Sequence, residues 1–298
     1  MPITEEYFMT EKKIINRLSL VSILGNVLLT GLKMLAGIFG GSGAMVSDAI
    51  HSLSDVFTTV VAWIGTRVSV KREDKDHPYG HERIECVASL ILGVILAATA
   101  VGIGISGINI IVSGNYADLP RPGAIALAAA VVSIVAKEAM YWYTRYYAKI
   151  LNSTAFLADA WHHRSDALSS VGSLLGIGGA MIGFPILDPL ASVVICLCIL
   201  KVAYDILKDA LTKMLDTSCS EEFEEEIGNF ITAQEGVVRL DVLRTRMFGN
   251  KVFIDAEIAV DGDSSLRHAH GIAEAVHDGV EHNFKNIKHI MIHVNPAD

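Results

Sequence analysis

Apolar residues crowd the chain between positions 18 and 212 and thin out afterwards. They fall into six long runs, at 17–39, 43–70, 84–113, 122–148, 152–182 and 186–213. Each run reaches the roughly 20 residues that a helix needs to cross a bilayer. The first carries Asn26 and Lys33 inside it. The third, Val87 to Val112, is the cleanest and is rich in Gly and Ala. The fourth starts after Pro120 and Pro122 and ends in Tyr141-Trp142-Tyr143 and Arg145. The fifth turns glycine-rich at Gly172, Gly176, Gly178 and Gly179, and small residues let helices approach closely in lipid. The pattern predicts a polytopic α-helical membrane protein with six transmembrane helices.

From about Leu215 the pattern changes. Ser220 can cap a helix whose first turns are acidic, with Glu221, Glu222, Glu224, Glu225 and Glu226. Val237–Met247 and Lys251–Val260 read as strands joined by a hairpin turn at Phe248-Gly249-Asn250. Residues 264–284 alternate at helical spacing, and Ile287–Val294 reads as a last strand. Helix, strand, strand, helix, strand makes a compact α+β layer. The chain thus divides into a six-helix transmembrane domain, 1–213, and a cytoplasmic domain, 214–298.

Composition agrees with this division. The chain is 51% hydrophobic with a mean hydropathy of +0.43, high for a protein dissolved in water. Its formal charge of −9 argues against nucleic acid as a partner. The first 13 residues are polar, with Glu5, Glu6, Lys12 and Lys13, and do not resemble a cleavable signal. Basic residues gather before the first run (Lys12, Lys13, Arg17), after the second (Arg67, Lys71, Arg72, Lys75, Arg83) and after the fourth (Arg145, Lys149). The connections after the first, third and fifth runs hold only Arg121. The positive-inside rule therefore places both termini in the cytoplasm. Cys86, Cys196, Cys198 and Cys219 lack the C-x-x-C spacing of a zinc or redox site and read as packing residues.

One pattern in the apolar runs is chemical. D-A-x-H-x-x-S-D occurs twice, as Asp48 to Asp55 and as Asp159 to Asp166. Residues three and four apart share a helix face, so His51 aligns with Asp55 and His162 with Asp166. Ionisable groups in a bilayer are costly and functional by default. Two imidazoles and two carboxylates suit a tetrahedral divalent ion such as zinc, and all four can take protons when the ion leaves. Asp48 and Asp159 lie one turn further along the same faces, behind the ligands or on the ion's path. His163 and Arg164 leave the shared face and are expected among lipid headgroups. Between the second and third runs, Asp74, His77 and His81 form H-x-x-x-H with a nearby carboxylate, either a metal-binding turn or a solvated charged loop. The tail holds His268, His270, His277, His282, His289 and His293, which bind a metal only where they converge across sheet and helix.

These motifs together identify a family. S-D-A-I-H-S-L-S-D, D-H-P-Y-G-H, A-D-A-W-H-H-R-S-D, L-R-T-R at 243–246 and I-H-V-N-P at 292–296 resemble the cation diffusion facilitators, proton-coupled exporters of divalent metals, and among them the bacterial ferrous-iron/zinc efflux members. The resemblance spans nearly the whole chain. It implies a homodimer in the inner membrane with ferredoxin-like, metallochaperone-like cytoplasmic tails, exchanging metal, most naturally Zn2+, for protons by alternating access. It places the transport site at His51, Asp55, His162 and Asp166. His51 stands where many relatives have Asp, the variant associated with zinc selectivity, with manganese, iron, cobalt and cadmium as alternatives. It assigns a loop site to Asp74, His77 and His81, and a tail site to Asp241, Glu257, His270 and His293. In that tail site Asn295 replaces a bridging Asp, so a single ion, or one with harder oxygen ligands, is expected. It also pairs Arg83 with Asp216. No nucleotide-binding G-x-x-x-x-G-K-[ST] loop is present, and neither is the H-E-x-x-H of a metallohydrolase, so the chain reads as a transporter rather than an enzyme. A membrane metal sensor or scaffold is the alternative from another class.

Overall fold

The computed structural model describes residues 5–39, 43–114, 124–181, 186–284 and 286–297. The connections at 40–42, 115–123 and 182–185, which oriented the chain above, lie outside these residues, as do the side chains of Asp48 and His51. The chain forms two compact units, one of Met9–Ala210 and one built on Leu211 and the residues after it.

The first unit is a bundle of long helices: α1 (Glu5–Phe39), α2 (Gly43–Ser69), α3 (Arg83–Ser113), α4 (Ala124–Ile150), α5 (Thr154–Met181) and α6 (Leu187–Met214), the last running on into the second unit. Helix α1 begins at Glu5 rather than at 17, because its polar start is rich in the strong helix formers Glu and Lys. Its inner face reads Ile15, Leu18, Ser22, Asn26, Leu29 and Lys33, spaced three and four apart, while Leu20, Leu24, Leu28 and Leu35 face outward. The other helices follow suit. Phe57, Ile91, Val112 and Val135 are exposed, whereas Asp55, Thr59, Ser89, Ser133 and Lys137 are buried. Polar inside and apolar outside is an arrangement for lipid, not for water. Among the described residues, two helices, through Glu11–Ala36 and Arg83–Ser113, are long and apolar enough by composition to cross a membrane. This does not confirm six spans; buried polar and charged residues such as Asp55, Thr58, Thr59, Lys137, Asp159 and His162 lower the apolar content of α2, α4 and α5 from within.

Two features set the depth of the inward-facing residues. Helices α4 and α5 are joined by only Leu151, Asn152 and Ser153. Asn152 takes a positive φ of 49° and the Ser153 hydroxyl accepts from the N–H of Phe156 at 3.2 Å. Lys137 stands 13 residues before the end of α4 at Ile150, and Asp166 stands 12 after the start of α5 at Thr154, so the hairpin brings them to one level. Asn26 and Asp55 are placed the same way, 13 residues before Phe39 and 12 after Gly43. Helices α2 and α3 meet at Gly65, where an added Cβ would collide with the Cβ of Ala88.

The second unit holds α7 (Glu221–Thr232), β1 (Arg239–Phe248), β2 (Lys251–Asp261), α8 (Leu266–Asn283) and β3 (Ile287–Ala297). Ser220 caps α7, accepting from the N–H of Phe223 at 3.3 Å. A two-residue turn, with Gly249 at φ 63°, joins β1 to β2. The sheet order is β1-β2-β3, antiparallel between β1 and β2 and parallel between β2 and β3, with α8 as the crossover. Ile254, Ala256, Ile258 and Val260 of β2 and Ile290 of β3 pack with Ile227, Ile231, Val276 and Val280 of the helices. Among the described residues the sheet has three strands, one fewer than a four-stranded ferredoxin-like sheet.

Close packing at Gly65 makes a testable point. Gly65→Ala should lower the unfolding temperature of the detergent-solubilised protein by an amount matching roughly 1–3 kcal/mol of overpacking. Adding Ala88→Gly should recover most of the loss. A Gly65→Ala protein as stable as the parent would show that the two helices are not this close.

Candidate metal centre

Asp55 on α2 and His162 and Asp166 on α5 bring three ligand atoms within 4.8 Å of one another inside the bundle. His162 Nε2 lies 3.3 Å from Asp55 Oδ1. Asp55 is 1% exposed and His162 5%. His51 lies on α2 one turn before Asp55, with its side chain outside the described residues.

A cation already stands in this cluster. Lys137, 1% exposed, donates from Nζ to Asp55 Oδ2 at 2.6 Å, to Asp166 Oδ2 at 2.9 Å and to Asn26 Oδ1 at 3.1 Å. The Asn26 amide then donates to Thr59 Oγ1 at 3.4 Å, and Thr59 to Asp159 Oδ1 at 3.0 Å. Asp159 is fully buried, so the first Asp of the second repeat is tied to the cluster through two neutral side chains. Nearer the end of α1, Lys33 donates to Ser52 Oγ at 2.8 Å.

Two cavities flank the cluster. One, of about 320 Å³, is lined by Ser52, Ser133, Lys137, Ser165, Asp166 and Ser170 among others. The other, of about 310 Å³, is lined by Phe57, Thr58, Val61, Ile95 and His162. Asp55 and Thr99 line both, so the carboxylate stands between them.

His163 corrects an expectation. It is fully buried, 3.6 Å from the equally buried Asp159 Oδ2, and so not among headgroups. Arg164 does leave the ligand face. It lies over the Tyr141 ring at 4.4 Å and pairs with Glu138 at 3.4 Å.

The loop between α2 and α3 gathers a second set, with Asp74, His77 and His81 also presenting ligand atoms within 4.8 Å. His77 Nδ1 and His81 Nε2 stand 3.5 and 3.4 Å from the two Asp74 oxygens. Asp74 accepts from Lys71 and from the N–H groups of His77 and Asp76, which hold its carboxyl well below the usual range. It is therefore an anion throughout the physiological range. His81 is 4% exposed, and its Nδ1 has no hydrogen-bond partner among the described residues. A carboxylate and two imidazoles in one turn fit a divalent ion.

The tail residues behave differently. Asp241 sits at a bulge between Leu240 and Val242, which turns its side chain toward β3. Asn295 donates to Asp241 Oδ2 at 3.0 Å and to Glu257 Oε2 at 3.3 Å, and with Arg239 it holds the Asp241 carboxyl below its usual value. His293 pairs in register with Glu257, and both line a cavity of about 100 Å³ with Val242, Arg244, Asp255 and Met291. His270 lies apart on α8, exposed and 3.5 Å from Glu274. Among the described residues, Asp241, Glu257, His270 and His293 of one chain do not form a cluster of three ligand atoms. An amide occupies the place between the carboxylates.

The apolar pattern names Asn26 and Lys33 without a role and does not single out Lys137. The signal was available: a basic residue in the middle of the fourth run, as far from the short α4–α5 turn as Asp166 is.

Comparison with known proteins agrees with this architecture. Residues 19–215 match the cation efflux transmembrane domain, and residues 219–297 match the cytoplasmic domain of cation efflux proteins. An uncharacterised transporter of Methanocaldococcus jannaschii is 34% identical over 94% of this chain and 97% of its own. The manganese efflux system protein MneP of Bacillus subtilis is 30% identical over 96% and 97%. The magnetosome protein MamB of a Magnetospira species is 33% identical over 91% and 92%. With both domains matched along most of its length, the chain belongs to the cation efflux family of membrane transporters.

Proposed function

We propose that this protein exports a divalent transition-metal ion, zinc in the first instance, from the cytoplasm in exchange for protons. The observation that carries the reading is the buried set of Asp55, His162 and Asp166, poised between two cavities. An ion entering from the cavity beside Val61 and Ile95 meets His162 and Asp55, with His51 completing a tetrahedral shell. Rocking of α2 and α5 then exposes the same residues to the cavity beside Ser133 and Ser170. Protons arriving there compete for the imidazoles and carboxylates and release the ion. The working form is a homodimer in the inner membrane with both termini in the cytoplasm. The loop set of Asp74, His77 and His81 holds a second ion there and steadies the turn that joins α2 to α3.

Manganese is a second reading, favoured by the likeness to a protein named for manganese efflux. Carboxylate-rich sites accept this harder ion, and the His51 imidazole shifts the balance toward zinc.

Purified protein in proteoliposomes with an imposed pH gradient tests the reading. Asp55→Ala and Asp166→Ala should each reduce zinc flux to background. Unchanged flux in both would remove the site, and no flux in the parent would favour a sensor or scaffold. His51→Asp should raise flux of manganese or cadmium relative to zinc, and an unaltered ratio would dismiss His51 as the selector. His77→Ala with His81→Ala should remove one bound zinc per chain while leaving flux measurable. Equal zinc content in parent and variant would show that the loop binds none.

A further inference from the structure

We infer that Lys137 is a tethered cation that holds the two carboxylates of the transport site when no metal is there and must be displaced by the arriving ion. The inference rests on the export reading above, and it concerns a residue outside the ligand set.

The geometry carries it. The ammonium stands between Asp55 and Asp166, 2.6 and 2.9 Å from one oxygen of each. A zinc ion bound by carboxylate oxygens lies roughly 2.0–2.2 Å from them. Ion and ammonium therefore compete for one position and for the same two oxygens. Lys137 is tied down by a third acceptor, Asn26, from another helix. A lysine held by three partners on α1, α2 and α5 and 1% exposed is built into the site, not stranded near it.

Its physical role follows from charge. Two carboxylates alone leave −2 inside the bundle, and the ammonium reduces this to −1. The cost of taking charge out of water grows with its square, so the empty site becomes roughly fourfold cheaper to bury. A divalent ion offers the carboxylates more than the ammonium does and can displace it. A monovalent ion offers no more charge than is already present. The lysine thus keeps sodium and potassium out of a site made of two anions.

Displacement has a destination. The cavity of about 320 Å³ on the α4 side is lined by the hydroxyls of Ser52, Ser133, Ser165 and Ser170. These can accept from the ammonium once the carboxylates have turned to the metal. Lys33 lines the same cavity, donating to Ser52, so the arriving ammonium shares it with a second cation and is returned when the metal leaves.

The test is zinc binding to the full-length protein in lipid nanodiscs by titration calorimetry, with parent, Lys137→Gln, Lys137→Arg and Asp166→Ala, each also carrying His77→Ala and His81→Ala so that the loop set takes no zinc. Binding lost in Asp166→Ala establishes the site, and binding kept there would fail the export reading itself. Given that loss, Lys137→Gln should bind zinc more tightly by on the order of ten- to a hundredfold, the weight of a charge-assisted hydrogen bond. Lys137→Arg should bind no more tightly than the parent. Equal or weaker binding by Lys137→Gln, or tighter binding by Lys137→Arg, overturns the inference. Thermal unfolding separates competition from simple packing. Lys137→Gln should melt below the parent without zinc and return to it at saturating zinc. A variant that stays low, or stays aggregated, with zinc present also overturns it.

Discussion

The bundle depends on one constraint: two carboxylates must be held inside it, in a place where water cannot help. Isolated buried charges cost several kcal/mol each even after the surroundings relax. Asp55 and Asp166 meet that demand through Lys137, and Lys137 through Asn26. Four helices are thereby bound to one point. The outward apolar faces of those helices are the other half of the same solution, since a protein with such an interior must present lipid with something else.

The tail solves a related problem with weaker means. Asp241 and Glu257 lie at the surface of a small sheet, where solvent screens them, and a neutral amide is enough to hold them together. In each unit a nitrogen donor from the chain itself bridges two carboxylates. In the bundle it is a full charge on a long stem. In the tail it is a short amide on a strand, in register with its neighbours and fixed by the ladder.

How much of this is legible in the sequence depends on the range of the interaction. The six helices and the α-β-β-α-β order follow from local periodicity, and Asp55, His162 and Asp166 stand out because a repeat marks them. Lys137 carries no motif. It becomes visible only when distance from the α4–α5 turn is counted, which needs the turn to be known as short. His163 reads as a bystander because its helical face is wrong for the ligands, yet a helix inside a bundle has neighbours on every side. The tail set was the least legible, since side chains brought together by a bulge and a parallel crossover have no fixed spacing along the chain.

The short connection at Leu151, Asn152 and Ser153 has a consequence for any change made near it. Residues in a helix advance about 1.5 Å and rotate about 100° per position. One residue inserted between Thr154 and His162 would swing His162 and Asp166 a quarter turn or more around α5 while leaving Lys137 where it is. The proposed ligands would be intact in every chemical sense and aimed at the wrong wall. The hairpin is a ruler for the site, and its length constrains the protein as tightly as the identity of any ligand.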